Sequence, residues 1–335
     1  MSGVPNRAAE APLLAIVGPT GSGKSELALA VARHVPAEIV NCDSLQLYRY
    51  LDIGTAKLAP LERQGIPHHM IDIADPDELV TAGDYARRAR PLLAEIAARG
   101  RLPIVAGGTG FYLRALLEGL FRGPQRDPTL RERLARRQEA KPGSLHRILK
   151  RLDPPAAARI HPNDTNKLIR ALEVCVLARR PLSRLWAEGR DRLEGFHPLK
   201  IGLDPPRPAL YAKLDERCRA MFDRGLIEEV RQILARGFPE SSKPLEALGY
   251  RQALAVLRGS LDREEAIRLA QRETRRYAKR QWTWFRRDPE IEWFAGFGAD
   301  EEVQQAVIGR VRRYLLELAW PPSGSDRTFA GVLRI

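Results

Sequence analysis

Gly18-Pro19-Thr20-Gly21-Ser22-Gly23-Lys24-Ser25 follows the apolar run Leu13, Leu14, Ala15, Ile16, Val17 and precedes a helical pattern beginning at Glu26. A buried strand, a glycine-rich turn and a helix start, in that order, form the setting in which G-x-x-x-x-G-K-S binds phosphate. Gly21 and Gly23 free backbone N–H groups to wrap a diphosphate, the helix start turns its positive end toward it, and Lys24 adds a mobile charge. Ser25 offers a hydroxyl to Mg²⁺. Gly18, Pro19, Thr20 and Ser22 complete the loop. The motif leaves open whether the diphosphate belongs to ATP, GTP or another molecule.

Outward from the loop, strand and helix alternate as in a parallel sheet with crossover helices. Glu38 to Cys42 reads as a strand ending at Asp43, and Met70 to Ile73 as a further apolar strand. A helix starts at Thr81, with Asp84 three residues on as a capping box. Leu102 to Ala106 is the next strand, followed by the turn Gly107-Gly108-Thr109-Gly110 and a helix from Phe111 to Leu120. From Gly123 to about Pro198 the pattern is helical, polar and arginine-rich, broken by Pro142, Pro154, Pro155, Pro162 and Pro181. Strand pattern resumes at Leu199 to Leu203, and a candidate edge strand lies at Ile291 to Phe294. The expected fold is therefore α/β, a P-loop NTPase-like parallel sheet flanked by helices. Its catalytic core is discontinuous over residues 12–122 and 199–319, with a basic helical insertion at 123–198 and flexible termini at 1–11 and 320–335.

The chain of 335 residues carries 55 Lys+Arg against 42 Asp+Glu, a formal net charge of +13. A polyanionic partner accounts for such an excess more economically than solubility does. The charge is also clustered: Arg122 to Arg151 holds ten basic and three acidic residues, and Arg272 to Arg287 holds seven and one. Cys42, Cys175 and Cys218 are far apart and odd in number, which fits neither a disulfide framework nor a zinc site. No apolar run spans a bilayer and no signal-peptide pattern opens the sequence, so the expected location is the cytoplasm, with no membrane partner.

Several residues stand where chemistry is expected. Asp43 lies at the carboxyl end of its strand, beside the phosphate loop, where open α/β sheets bind ligands. A carboxylate there holds a metal, accepts a proton or caps a turn. The strand ending at Ala106 runs into Gly107-Gly108-Thr109 without the acidic residue that completes the metal site of many ATPases, which argues against ordinary nucleotide hydrolysis. Arg217 sits on a helix with the apolar stripe Leu210, Leu214, Cys218, Met221, and shares a flank with Lys213, four residues away. Adjacent His68 and His69 on an extended segment point opposite ways, so a structural role is expected. In the last basic segment Arg272, Arg276, Lys279 and Arg286 fall near one helical face and Leu269, Tyr277 and Trp284 on another, a pattern suited to a nucleic-acid backbone.

Taken together, the motifs resemble the tRNA dimethylallyltransferase, or tRNA isopentenyltransferase, family. They are G-P-T-G-S-G-K-S at Gly18, N-C-D-S-L-Q-L-Y at Asn41, D-I-G-T-A-K at Asp52, P-H-H-M-I-D at Pro67 and V-A-G-G-T-G-F-Y at Val105. D-P-T-L-R at Asp127, A-R-I-H-P-N-D at Ala158, R-A-L-E-V at Arg170, G-Y-R-Q at Gly249 and A-K-R-Q-W-T-W-F-R at Ala278 continue the series. The likeness covers about residues 12 to 295. It implies transfer of a dimethylallyl group from dimethylallyl diphosphate to the exocyclic nitrogen of the adenine 3′ of a tRNA anticodon, with Mg²⁺ as cofactor and release of pyrophosphate. Asp43 is then the candidate base; Thr109 and Arg217 join it as catalytic residues. Thr20 and Thr109 would hydrogen-bond the diphosphate, and Lys24 and Arg217 would stabilise the departing charge. The adenine must leave its stack to reach such a site, through a channel lined by Ser44, Leu45 and Gln46. The resemblance further assigns the anticodon stem-loop to Arg131, to Asn163, Asp164, Thr165, Asn166 and Lys167, and to Glu246, Ala247, Leu248, Gly249, Tyr250 and Arg251. The last group is Lys279, Arg280, Gln281, Trp282, Thr283, Trp284, Phe285 and Arg286. A monomer is expected.

Two enzymes of other kinds share parts of this pattern. An adenylate isopentenyltransferase acts on free AMP or ATP, and a P-loop small-molecule kinase consumes ATP; neither needs the two basic segments.

Overall fold

The computed structural model describes residues 10–320. Six strands form one sheet: β1 (Ala11–Val17), β2 (Ala37–Asn41), β3 (His68–His69), β4 (Leu102–Ala106), β5 (Phe196–Asp204) and β6 (Ile291–Ala295), in the order β3-β2-β4-β1-β5-β6. All five pairings are parallel. β1 is central and buried on both faces, which is why it reads as an unbroken apolar run rather than as an alternation. The fold class expected from the sequence is the one observed.

Helices α1 (Lys24–His34), α2 (Ala82–Ala98) and α3 (Gly110–Leu117) cross between the first strands. α4 (Pro128–Ala140), α5 (Ser144–Leu152), α6 (Pro154–Arg159), α7 (Thr165–Ala178) and α8 (Leu182–Ala187) follow. After β5 come α9 (Arg207–Asp223), α10 (Leu226–Ala235), α11 (Tyr250–Leu257), α12 (Arg263–Phe285) and, beyond β6, α13 (Glu301–Glu317). On one face of the sheet Leu27 and Val31 of α1 and Val307 and Val311 of α13 pack against Leu14, Ile16, Ile104 and Ile201. Thr81 caps α2: its Oγ1 accepts from the Asp84 N–H while Asp84 Oδ2 accepts from the Thr81 N–H.

The chain divides into two compact units, one running to Leu116 and resuming at Glu194, the other Leu117–Leu193. These limits differ from the expected 123 and 198. β5 begins early, with Phe196, His197 and Pro198 in register with Ala11, Pro12 and Leu13. In the second unit the entering and leaving segments hydrogen-bond, Leu193 N–H to Leu117 O at 3.0 Å. That unit has its own core of Leu145, Leu149, Leu168, Leu172, Leu182 and Leu185. Its fully buried Glu173 accepts from the Asp127 N–H (2.9 Å) and pairs with Arg131 (3.2 Å) and Arg170 (2.6 Å). α4 buries no residue.

Two expectations need correction. Met70 to Ile73 is not a strand: β3 stops at His69, and Met70 (φ +59°) and Asp72 (φ +56°) take left-handed conformations that end it. The chain turns instead onto Gln46 and Leu47, with Asp72 N–H on Gln46 O and Ile73 N–H on Leu47 O, and Asp72 holds Lys57 at 2.6 Å. The termini are also narrower than proposed. Ala11 opens β1, and Trp320 donates its N–H to Leu315 O and packs against the main core. The rest of the two proposed termini, apart from Glu10, lies outside the described residues.

Candidate active site

The phosphate loop joins the end of β1 to the first turn of α1. Gly23 sits at φ +91°, where an added Cβ would come within 2.6 Å of the Gly298 backbone nitrogen. The clash is with backbone, so only glycine fits. Gly298 N–H in turn donates to Ser22 O at 2.8 Å, so the segment after β6 braces the loop. Ser22 is fully buried, and its main chain is used within the protein, its N–H donating to Pro19 O at 3.3 Å. Lys24 Nζ donates to Pro19 O at 2.7 Å. Burial pulls this ammonium down to about 8, against the opposing pull of Asp43 and with the help of Arg217.

Asp43 stands just past β2 on a fixed turn. Asn41 accepts from the Asp43 N–H through Oδ1 (3.0 Å) and donates through Nδ2 to Asp43 O and Met70 O. Asp43 Oδ1 accepts from the Leu45 N–H at 2.9 Å. The carboxylate therefore caps a turn and also lines two adjoining cavities. The first, about 230 Å³, is lined by the phosphate loop from Thr20 to Ser25 together with Gln46, Thr55, Lys213 and Arg217. The second, about 350 Å³, has an apolar wall of Leu214, Cys218, Met221, Phe222 and Leu226. Ser44, Thr274, Tyr277, Arg280, Arg251 and Glu246 line it with polar groups, and Ala247, Leu248 and Gly249 complete the wall. Thr20, Asp43, Thr55 and Arg217 are common to both. Desolvation holds the Arg217 guanidinium below its ordinary value, and raises the Tyr277 phenol, which also faces the Asp43 charge. A third, open groove of about 590 Å³ between Asp204, Arg207, Trp282 and Arg286 contains none of Lys24, Asp43 or Arg217.

Some assigned residues lie elsewhere than the sequence reading puts them. Thr109 lines neither cavity; its Oγ1 accepts from the Ser44 N–H at 3.0 Å and so holds the loop that carries Asp43. Tyr250, Gln281, Trp282 and Phe285 are buried, Trp282 with an edge on the third groove. Tyr250 Oη donates to Glu229 at 2.7 Å, and Trp282 packs on Leu210, Leu214 and Ala278. Arg131 is committed to Glu173. Asp164 caps α7 and pairs with Lys167 at 2.5 Å, with Asn163 and Asn166 exposed. Arg286 pairs with Asp204 at 2.9 Å. Trp284, expected on the anchored side of α12, is 37% exposed and meets Phe111 edge-on. Arg272, Arg276, Lys279, Arg280 and Thr283 do form an exposed face. His69 pairs with Glu38 at 2.6 Å, within the protein.

Other features escape the sequence reading. The loop from Asp52 to Thr55 walls the cavities, and Glu229 grips it through the Asp52 and Ile53 N–H groups (3.1 and 2.7 Å). D-I-G-T-A-K is visible as a motif but gives no hint of that partner. The stripe Leu214, Cys218, Met221 is visible too, yet as core rather than as cavity wall. Among the described residues no cluster of three His, Cys, Asp or Glu is arranged to hold a metal. Ser25 and Asp43 nevertheless give hard oxygen donors to one cavity, and Mg²⁺ held mainly by phosphate oxygens and water needs no more than one or two protein ligands. The residues present fit a magnesium diphosphate.

A G-x-x-x-x-G-K-S loop at the carboxyl edge of a β3-β2-β4-β1-β5-β6 parallel sheet, its cavity sharing Thr20, Asp43, Thr55 and Arg217 with a second one, defines a P-loop protein. A family model described as IPP transferase matches residues 46–288. The tRNA dimethylallyltransferase of Solibacter usitatus is 61% identical over 304 residues, covering 91% of this chain and 99% of that protein. That of Koribacter versatilis is 57% identical, covering 90% and 97%. Among solved structures, a tRNA isopentenylpyrophosphate transferase from Bacillus halodurans aligns with TM-score 0.69 and 36% identity over 92% of this chain and 98% of that one. A eukaryotic dimethylallyltransferase acting on tRNA aligns with TM-score 0.79 and 25% identity, covering 97% and 84%. The chain belongs to the tRNA dimethylallyltransferase family and is a prenyltransferase.

Proposed function

We propose that this protein transfers the dimethylallyl group of dimethylallyl diphosphate to N6 of the adenine 3′-adjacent to the anticodon, tRNA position 37, and releases pyrophosphate. The observation that carries the reading is the shared wall of the two cavities, where Asp43 and Arg217 meet the phosphate loop. One cavity suits a diphosphate. The other, with an apolar wall and scattered polar groups, opens beside the basic face of α12 and suits a base and an isoprenoid carbon chain.

The adenine amino group is a weak nucleophile because its lone pair is delocalised into the ring. Asp43 orients it and takes its proton as the N6–C1 bond forms and the C1–O bond to the diphosphate breaks. Negative charge then grows on the leaving oxygens. Lys24, Arg217, the loop amides and the Thr20 hydroxyl meet it in a desolvated site, where such contacts count most. Ser25, with Asp43 within reach, would hold Mg²⁺, which when bound would neutralise part of the phosphate charge. The allylic carbon lies against Leu214, Cys218 and Met221, which exclude water. Thr109 acts by holding Ser44 beside Asp43 rather than by touching the diphosphate. The adenine enters unstacked past Ser44 and Leu45, with Glu246 to Gly249, Arg251 and Arg280 around it. Exposed arginines of 122–151 and of α12 grip the RNA backbone. The protein works as a cytoplasmic monomer on this reading; no helix among the described residues is long and apolar enough to cross a membrane.

The deciding experiment incubates the protein with dimethylallyl diphosphate, Mg²⁺ and unmodified tRNA reading codons that begin with U, followed by mass analysis of the nucleosides. One adenosine per tRNA should gain a dimethylallyl group. Prenylation of free AMP or ATP at a comparable rate, or consumption of ATP without RNA, would overturn the assignment.

A further inference from the structure

Gln281 is one of the most enclosed polar side chains of α12, yet it lies directly between two exposed basic or polar stretches, Lys279-Arg280 and Thr283. Its Oε1 accepts from the Thr20 N–H at 2.8 Å, and its Nε2 donates to Gly108 O at 2.8 Å. One partner is a backbone donor and the other a backbone acceptor, so the amide has only one workable orientation. Thr20 lies within the phosphate loop and lines both cavities. Gly108 lies in the turn between Gly107, which lines the diphosphate cavity, and Thr109, which holds the Asp43 loop. A single side chain thus fastens the phosphate loop to the turn after β4, and fastens both to the helix whose other face is basic.

We propose that Gln281 is a positioning residue for the diphosphate site. It fixes the Thr20 amide and the Gly107–Thr109 turn relative to each other, and does not itself contact RNA. This rests on the reading of the loop as the diphosphate site. Without Gln281, a part-buried N–H and a buried C=O each lose their partner, and the loop relaxes to satisfy them at the expense of its diphosphate-binding geometry.

The structure offers two independent ways to disturb this fastening. Gln281→Met keeps length and apolar bulk but removes both hydrogen bonds. Gly108→Ala leaves the sequence of α12 unchanged, but its new Cβ would sit 2.3 Å from Gln281 Nε2, with Gly18 O the next nearest foreign atom beyond that side chain at 3.8 Å. Binding of inorganic pyrophosphate in Mg²⁺ buffer would be measured by calorimetry, and binding of an anticodon stem-loop by fluorescence anisotropy. Each variant should weaken pyrophosphate binding about tenfold, the usual scale for stranding buried hydrogen-bonding groups. Stem-loop affinity should stay within about twofold, and the double variant should be no weaker than the worse single one, because both changes break one coupling. In turnover, KM for dimethylallyl diphosphate should rise while KM for tRNA holds. Strict additivity, or weakened stem-loop binding with intact pyrophosphate binding, would overturn the proposal. If Gln281→Met fails to fold, Gly108→Ala alone still decides between the two patterns. Wild-type protein that does not bind pyrophosphate would overturn the diphosphate reading itself, an outcome distinct from variants that match a binding wild type.

Discussion

Residues 122–151 and 272–287 are the two most basic stretches of the chain, and by composition they look interchangeable. Their structures are not. α4, in the first stretch, buries nothing: Glu132 pairs with Arg136 on it and Arg131 reaches Glu173, while the buried Leu145 and Leu149 of the same stretch, on α5, belong to the insertion's own core. α12, in the second, has a back as well as a front: Ala278, Gln281, Trp282 and Phe285 are buried behind Lys279 and Arg280, and through Gln281 they reach the phosphate loop. A basic stretch can therefore cover a separate helical core, or be the outer side of a helix that reaches the phosphate loop. Only packing distinguishes the two, because both offer the same charge to a phosphate backbone.

The contrast can be tested at four levels. The largest effect should come from the wall that α12 supports. Asp43→Ala is expected to lower the single-turnover rate by about 10² to 10⁴, the range for losing a general base. Stem-loop affinity should change little, and a near-wild-type rate would reduce Asp43 to a turn cap. On the insertion side the strongest effect should be on stability, not chemistry. Glu173→Ala strands Arg131 and Arg170, and because both arginines reach solvent the cost should be ~2–3 kcal/mol, below the range for a fully enclosed pair. Chemical denaturation checks this; loss of RNA affinity at unchanged stability would instead return Arg131 to RNA contact.

The third effect is a pH dependence. Lys24 is held down to about 8, so in the free protein it is charged below that pH and neutral above it. Diphosphate binding favours the ammonium, so affinity should fall as pH rises from 7 to 9, by up to about tenfold if the charge is essential. Lys24→Arg stays charged throughout and should lose this part of the dependence. Parallel calorimetric titrations of wild type and Lys24→Arg separate it from titration of the ligand, and identical slopes would refute it. The smallest effect should distinguish the two basic surfaces directly. Removing one cation that touches an RNA phosphate should cut the log–log salt slope of RNA binding by about 0.7 to 0.9. Neutralising Lys279 and Arg280 should do so without touching pyrophosphate binding, and neutralising Arg133 and Arg137 should do the same from the insertion. A pair that leaves the slope unchanged is not on the RNA path.

How much is legible in the sequence follows from the same physics. The pattern places β4 to the residue, and β1 to within two, since strands buried on both faces are unbroken apolar runs ended by glycine. It misplaces β3 because nothing in Met70-Ile71-Asp72-Ile73 announces two left-handed residues; they arise from pairing with Gln46 and Leu47, a tertiary partner. The phosphate loop and Asp43 stand out from local context. Their meeting with Arg217 follows from a resemblance and not from spacing, for no local signal brings a helix after β5 to the end of β2. Tyr250, Gln281, Trp282 and Phe285 read as outward-facing because they sit inside a recognised motif. A motif names positions, and only helical phase against a packed neighbour says which of them face out.

The hydrogen bond between Leu193 and Leu117 has a consequence for how the chain assembles. β5 must find β1, in register from Ala11 with Phe196, across the longest sequence separation between any two paired strands of the sheet. Such pairings are slow to form, because the entropy of closing the intervening loop is given up before the strands can pair. The insertion is built from helices that pack on near neighbours in sequence, elements that form early. Once its ends are joined, Leu117 and Leu193 are effectively adjacent, and the loop left to close is shorter by the length of the whole insertion. On this account the helical insertion would shorten the search by which the central strand acquires its neighbour, a role separate from the RNA contact proposed for its arginines.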